Sequence, residues 1–101
     1  KIYRFTYNGT TKVNNFAEQE DLCRKKIMRD PFHYWSIIDY KNGNIHKTYK
    51  INSSDVWKLI WPKWQKAFVE SSNRADGRIN GSISTKDLDD HNIDYETINL
   101  D

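Results

Sequence analysis

Residues 30–51, DPFHYWSIIDYKNGNIHKTYKI, decide how the rest of the chain is organised. Two runs rich in aromatic and β-branched residues flank Asn42-Gly43, and this dipeptide is the strongest short-range signal of a β-hairpin. Both central residues of a type I′ turn need a positive φ, which Asn tolerates and Gly adopts freely. We therefore predict a two-residue turn in which Lys41 faces Asn44.

This register sorts the hairpin side chains into two faces, because successive residues of a strand point to opposite sides. The face expected to be buried carries Tyr34, Ile38, Tyr40, Ile45, Tyr49 and Ile51. The face expected to meet solvent or a partner carries His33, Trp35, Ile37, Asp39, His46, Thr48 and Lys50. The register of the turn therefore decides which aromatic rings could take part in binding.

Length and composition predict one small folded domain over residues 1–101. Hydrophobic residues make up 37% of the chain and aromatic residues 14%, and a high aromatic content argues against intrinsic disorder. Cys23 is the single cysteine, so no internal disulfide can form, and no apolar run reaches the roughly 18 residues of a membrane span. These features favour a cytoplasmic protein. Lys1 rather than Met stands first, which fits a missing initiator residue or leader.

Charge is divided unevenly along the chain. Residues 1–69 hold 13 Lys and Arg against 6 Asp and Glu, whereas residues 70–101 hold 3 against 8. We expect the acidic end, about residues 84–101, to fold back on the basic body, since opposite charges attract. The alternative is that the two parts address different partners.

Two helices are predicted on either side of the hairpin, at about residues 16–29 and 54–71. The first has acidic residues early and basic residues late, which suits the helix dipole, and Pro31 ends it. The second has apolar residues at helical spacing but contains Pro62. An interior proline loses a hydrogen bond and clashes with the preceding turn at a cost of about 3 kcal/mol. The second helix is therefore expected to be kinked or split there.

The remaining segments predict short elements. Residues 1–8 alternate as a strand, residues 11–13 and 78–83 suggest brief strands, and the final segment suggests a strand with Ile98 and Leu100 inward. Ser84 followed by Asp87 predicts a single capped helical turn. The expected fold class is α+β, with an antiparallel sheet around the hairpin at about residues 33–51 packed on two helices.

Asp39 and His46 are the most specific candidates for catalysis. In the predicted register a carboxylate opposite an imidazole would orient the ring. Catalysis would also need a nucleophile or a metal, and no residue nearby sits in a recognisable nucleophile motif. A polar cross-strand pair is the more ordinary interpretation, which favours a protein that is not an enzyme.

Neither metal pattern in the sequence is convincing. The spacing of His33, His46 and His91 matches no common ligand set. Residues 72–83 resemble a calcium loop only in part, because Arg74 would lie inside the cage and Ile83 would occupy the position of the bidentate Glu. We therefore predict no metal and no cofactor.

The leading functional hypothesis is a small non-catalytic binding protein that acts through a protein partner, as an inhibitor, immunity or accessory factor. Asn, Lys, Ile and Asp are frequent, which hints at a bacterial or viral (phage) source. The predicted partner-binding residues are Trp35, Ile37, Asp39, His46, Lys50 and Trp61.

The first alternative is a nucleic-acid-binding module. Basic side chains interleaved with aromatic rings are typical of such proteins, although the pI near 8.7 is modest for one. The candidate residues are Arg24, Lys25, Lys26, Arg29, Lys47, Lys63 and Lys66. The second alternative is an enzyme that uses Asp39 and His46.

Overall fold

A computed structural model describes residues 2–9, 16–38, 40–71 and 79–99. Within these ranges the order of elements is β1 (Arg4–Gly9), α1 (Phe16–Met28), β2 (Phe32–Ile38), β3 (Ile45–Asn52), α2 (Ser53–Ser71), β4 (Ile79–Ser84), α3 (Thr85–Asp90) and β5 (Tyr95–Asn99). The strands form two antiparallel sheets, one of β1 and β4, the other in the order β2–β3–β5. The predicted α+β class is confirmed. The predicted strand at residues 11–13 and most of the calcium-like loop lie outside the described residues.

The first helix, α1, has the predicted bounds and buries one stripe. Cys23 and Ile27 are buried, as is the polar Gln19 one turn earlier. The Gln19 amide donates to Cys23 Sγ over 3.3 Å, and its carbonyl oxygen has no hydrogen-bond partner among the described residues. Leu22 and Met28, on the shoulders of the stripe, are exposed.

The second helix, α2, runs without interruption through Pro62, so the predicted split does not occur. Ile60 and Trp64 are fully buried on either side of the proline, whereas Pro62 itself is exposed. Burying a large side chain stabilises by roughly 1.5–3 kcal/mol, so packing before and after the proline outweighs the loss of one helical hydrogen bond. The helix is held by its buried face rather than by its propensity.

The register of the hairpin differs by one residue from the prediction. Trp35 pairs with Tyr49 rather than with Lys50, and the last pair before the turn is Ile38 with Ile45. The connection is therefore longer than two residues. A shift of one residue moves side chains to the opposite face of a strand.

The turn explains the shift. Gly43 has a φ of 73°, but Asn42 is not among the described residues with positive φ, so a type I′ turn is excluded. Instead the Asn42 side-chain oxygen accepts a hydrogen bond of 2.9 Å from the Asn44 amide. This Asx turn sits inside a longer loop.

The predicted faces of β2 are consequently wrong. Trp35 is only 3% exposed, whereas Tyr34 is 59% and Ile38 51% exposed. Tyr40 and Ile45, also expected inside, are exposed. On β3 the prediction holds in part, because Tyr49 and Ile51 are buried as expected, but Thr48 is buried as well.

Side chains of β1 and β2 join the two sheets. Phe5 and Trp35 stack with ring centroids 4.4 Å apart, and the Tyr7 hydroxyl accepts a hydrogen bond of 2.7 Å from Trp35 Nε1. Phe5 and Tyr7 lie on the half-buried side of β1, as the alternation predicts. The core also contains Val56, Leu59, Ile60, Trp64, Ile83 and Leu88.

The acidic end folds back on the basic body as predicted. β4 pairs with β1 and β5 with β3, and the Lys63 ammonium lies 3.0 Å from the Asp87 carboxylate. Ser84 and Asp87 form the predicted capping box at the start of α3. Ile98, expected inside, is exposed, and Leu100 lies outside the described residues.

Candidate partner-binding surface

The open edge of β2 presents unpaired peptide groups. The Ser53 amide donates to the Pro31 carbonyl over 3.0 Å, which identifies a hydrogen-bonded pair of the β2–β3 ladder. From there the alternation of an antiparallel ladder directs the peptide groups of Trp35 toward β3 and those of Tyr34 and Ser36 away from it. No other described strand pairs with β2.

The open edge of β1 also presents unpaired peptide groups. The Thr85 amide donates to the Tyr3 carbonyl over 2.9 Å. Alternation then directs the peptide groups of Phe5 toward β4 and those of Arg4 and Thr6 to the unpaired side. Each sheet therefore has an unpaired edge at the place where the two sheets meet.

A groove of about 610 Å³ is lined by residues from both edges. Its walls are Tyr3, Arg4 and Phe5 of β1, residues 36–38 of β2, and Tyr40, Lys41 and His46 of the hairpin end. The described lining includes basic side chains and no carboxylate. Asp39 lies outside the described residues, and the two-residue register that would place it opposite His46 is not the one observed.

A β-bulge shapes the hairpin end of this groove. Ile37 pairs with Lys47 and Ile38 with Ile45, which leaves His46 as the extra residue on β3. A bulge bends its strand and re-aims the side chain. The exposed His46 thereby becomes part of the groove wall.

Beside the groove lies the outer sheet face, the side of the β2–β3–β5 sheet away from the core. Its residues are Tyr34, Ser36 and Ile38 of β2, Thr48 and Lys50 of β3, and Glu96 and Ile98 of β5. Tyr34, Ile38 and Ile98 are exposed large apolar side chains. Tyr40, 98% exposed, and Ile45 extend the apolar surface toward the turn.

Polar contacts order the middle of this face. The hydroxyl oxygens of Ser36 and Thr48 lie 3.1 Å apart across the strands. The Lys50 ammonium lies 4.1 Å from the centre of the Phe32 ring and 3.8 Å from the Glu96 carboxylate. The surface thus combines apolar side chains with a fixed polar centre, as protein-binding surfaces commonly do.

The predicted partner-binding residues do not form one surface. Trp35 is enclosed in the core, which removes it from any contact surface, and Ile37 is half-buried in the groove wall. His46 lies in the groove and Lys50 on the outer sheet face. Trp61 stacks on Trp57 of α2 with ring centroids 5.0 Å apart.

The basic residues proposed for nucleic acid are dispersed and engaged with other groups. Lys25 and Arg24 contact the Asp21 carboxylate at 2.9 and 3.2 Å, and these contacts, the Lys25 hydrogen bond above all, hold the pKa of Asp21 below its ordinary value. Arg29 lies 3.8 Å from Asp30.

Three more of these basic residues, Lys26, Lys47 and Lys63, also contact other groups. Lys26 bonds the Asn8 carbonyl, and Lys47 lies 5.1 Å from the centre of the Tyr49 ring. Lys63 bonds Asp87 and the Ser82 carbonyl. Lys66 is exposed on α2.

Residues 2–9, 16–38, 40–71 and 79–99 carry neither a candidate metal cluster nor a membrane-spanning helix. No group of three or more His, Cys, Asp or Glu in these ranges could hold a metal ion. No helix in the same part of the chain is both long and apolar enough to cross a bilayer. Comparison of the chain with protein-family models, curated proteins and solved structures found no match.

Sequence reasoning missed several residues of this surface. Arg4 and Tyr3 line the groove because β1 lies beside β2, which no local pattern indicates. The predicted two-residue turn places Tyr34 and Ile38 in the core, and β2 carries large apolar residues on both faces, so its own pattern does not correct that register. The two apolar faces of β2 were the available signal in the sequence, because a strand that is apolar on both faces leaves its register weakly specified.

Proposed function

We propose that this chain is a small non-catalytic binding protein, and that a protein partner docks on the outer sheet face and the adjoining groove. The observation that carries the proposal is the cluster of exposed large side chains at Tyr34, Ile38, Tyr40 and Ile45. Contiguous exposed apolar patches on a small protein commonly mark an interaction site. An inhibitor, immunity or accessory factor would use its surface in this way.

Two further observations support a partner over a chemical reaction or a nucleic acid. The sequence carries no recognisable nucleophile or phosphate-binding motif. Three of the candidate nucleic-acid residues, Arg24, Lys25 and Arg29, are ion-paired within α1 and at its end, so their positive field is partly offset. Binding to nucleic acid would weaken steeply with salt, in proportion to the phosphates neutralised, whereas a mainly apolar contact would not.

The test is capture of a partner by the tagged full chain from host lysate, with and without nuclease. A variant carrying Tyr34→Ser and Ile38→Ser removes two exposed apolar side chains from the outer sheet face. The matched control carries Leu22→Ser and Met28→Ser, which removes two exposed apolar side chains, each 44% exposed, from α1. Circular dichroism establishes that both variants fold.

We expect nuclease-resistant capture by the parent and by the α1 control. The outer-face variant should bind at least about tenfold more weakly, because a few large side chains carry most of the affinity of a protein contact. Capture that survives in the outer-face variant, or that disappears with nuclease, contradicts the proposal.

A further inference from the structure

We infer that the groove receives an extended acidic segment of the partner, which adds as a strand to the open edge of β2. This inference rests on the proposed function, since it names what the partner inserts. It concerns the groove between the sheets, whereas the proposed function rests on the exposed outer sheet face.

The backbone supplies the first argument. The peptide groups of Ser36 on one wall and of Arg4 on the other point to the unpaired sides of their strands, and so do those of Tyr34 and Thr6, two residues along each strand. Unpaired strand edges are templates for another strand. An extended peptide satisfies such groups directly, as in other complexes formed by strand addition.

Side chains give the groove an apolar floor. Phe5 stacks on the buried Trp35, and Ile37 lies half-buried beside them. Alternate residues of a strand point to opposite sides. One set of side chains from an added strand would therefore meet this floor, and the other set would meet the rim.

Charge selects the kind of peptide. Arg4 and Lys41 bring two cationic side chains to the described lining of the groove. Arginine can bind a carboxylate through two parallel hydrogen bonds. A segment that alternates apolar and acidic residues complements both the floor and the rim, whereas a basic segment is repelled.

The experiment titrates the ¹⁵N-labelled full chain with the peptide acetyl-Glu-Val-Glu-Val-Glu-Val-amide and follows the backbone amides by NMR. Three further probes are its lysine counterpart, a copy methylated at alternate backbone nitrogens, and a thymidine oligonucleotide. We expect the acidic peptide to shift the amides of Arg4, Thr6, Tyr34 and Ser36 and to slow their exchange with solvent. Binding should weaken at least about tenfold for the methylated copy, which cannot form the ladder, and for the lysine peptide.

Variants separate the contributions of charge and backbone. Arg4→Glu should weaken binding of the acidic peptide about fivefold. Ser36→Pro removes the outward amide, a change tolerated on an edge strand, and should abolish binding, while Ser36→Ala removes only the hydroxyl and should bind as the parent does. The methylated peptide tests the ladder without altering the protein, so the result does not depend on the proline variant folding.

Several outcomes would overturn the inference. These are equal binding of the acidic and lysine peptides, unchanged binding after methylation, no binding at millimolar peptide, or shifts of the groove amides by the oligonucleotide alone. A partner captured through Tyr34 and Ile38 that the acidic peptide does not displace also overturns it, yet leaves the proposed function intact. Failure to capture any partner defeats the proposed function instead.

Discussion

Trp35 Nε1 donates a hydrogen bond of 2.7 Å to the hydroxyl oxygen of Tyr7, and this bond ties the three-stranded sheet to the two-stranded one. His33 Nε2 lies 2.8 Å from the Ile27 carbonyl. A carbonyl can only accept, so Nε2 carries the proton and the neutral ring presents Nδ1 as an acceptor. The Tyr7 hydroxyl, 3.0 Å from Nδ1, therefore donates to His33 while it accepts from Trp35.

Replacement of Tyr7 by Phe tests this chain of hydrogen bonds. It leaves the indole N–H and the imidazole Nδ1 without their partner, so Tyr7→Phe should lower the free energy of unfolding by about 1–3 kcal/mol. Urea denaturation measures the change. Tyr34→Phe, which removes an exposed hydroxyl, should change stability by less than about 0.5 kcal/mol, and equal effects of the two variants would rule out the hydrogen-bonded chain.

Neighbouring residues on β2 test the register. Trp35→Ala should destabilise by about 3–5 kcal/mol, because it empties a buried site beside Phe5. Tyr34→Ala should have a small effect, since that side chain is mostly exposed. The two-residue turn predicts the reverse order, so thermal or urea unfolding of this pair decides between the registers.

Asp87 should make stability fall at acid pH. Partial burial alone would raise the pKa of its carboxyl, but hydrogen bonds from the Ser84 amide and Lys63, together with the Lys63 charge, bring that pKa below its ordinary value. A depressed folded-state pKa contributes stability above the unfolded value, near 3.9, and this contribution is lost as the pH falls through the folded value. The unfolding free energy of Asp87→Asn should therefore depend less on pH between about pH 5 and 2 than that of the parent.

The control for this measurement is Asp90→Asn, which removes the same charge from the exposed end of α3. The free energy of unfolding changes with pH at a different rate in the two variants, and this difference isolates the contacts of Asp87 with Ser84 and Lys63. Identical slopes would mean that these contacts do not bias the carboxyl toward its ionised form.

Gly81 allows α2 to approach β4 closely. A Cβ at this position would lie 2.7 Å from Ile60 Cδ1 and 3.3 Å from Trp64 Cδ1. Gly81→Ala should therefore destabilise by about 1–3 kcal/mol through overpacking. Adding Ile60→Val removes the nearest methyl group and should recover part of that loss, and a double-mutant cycle measures the coupling. Strictly additive effects would contradict the close contact.

Local sequence patterns predicted most elements because each carries its own signal. α1 combines charge order with a terminating Pro31, and α3 has a capping box at Ser84 and Asp87. The alternation of residues 1–8 predicts a strand with Phe5 and Tyr7 on one side, and that side of β1 is half-buried. These features depend on residues a few positions apart.

The predictions that were wrong concerned features that depend on contacts between residues distant in sequence. Both faces of β2 are apolar, so the predicted register rested on Asn42-Gly43 alone. The hairpin instead has a longer loop that contains an Asx turn, and this loop shifts the β2–β3 register by one residue. The stacking of Trp35 on Phe5 fixes the buried face of β2, but it joins positions 30 residues apart. The groove is likewise formed by strands whose proximity no short pattern encodes.

The pairing of β1 with β4 bears on how the chain is synthesised. Phe5 can pair with Ile83 only after residue 83 has left the ribosome, whereas the hairpin and α2 can associate earlier. Long-range pairing slows folding and leaves unpartnered strands exposed in the meantime. During translation β1 therefore stays unpaired, with Phe5 and Tyr7 uncovered, and we expect chaperones to bind it before any partner does.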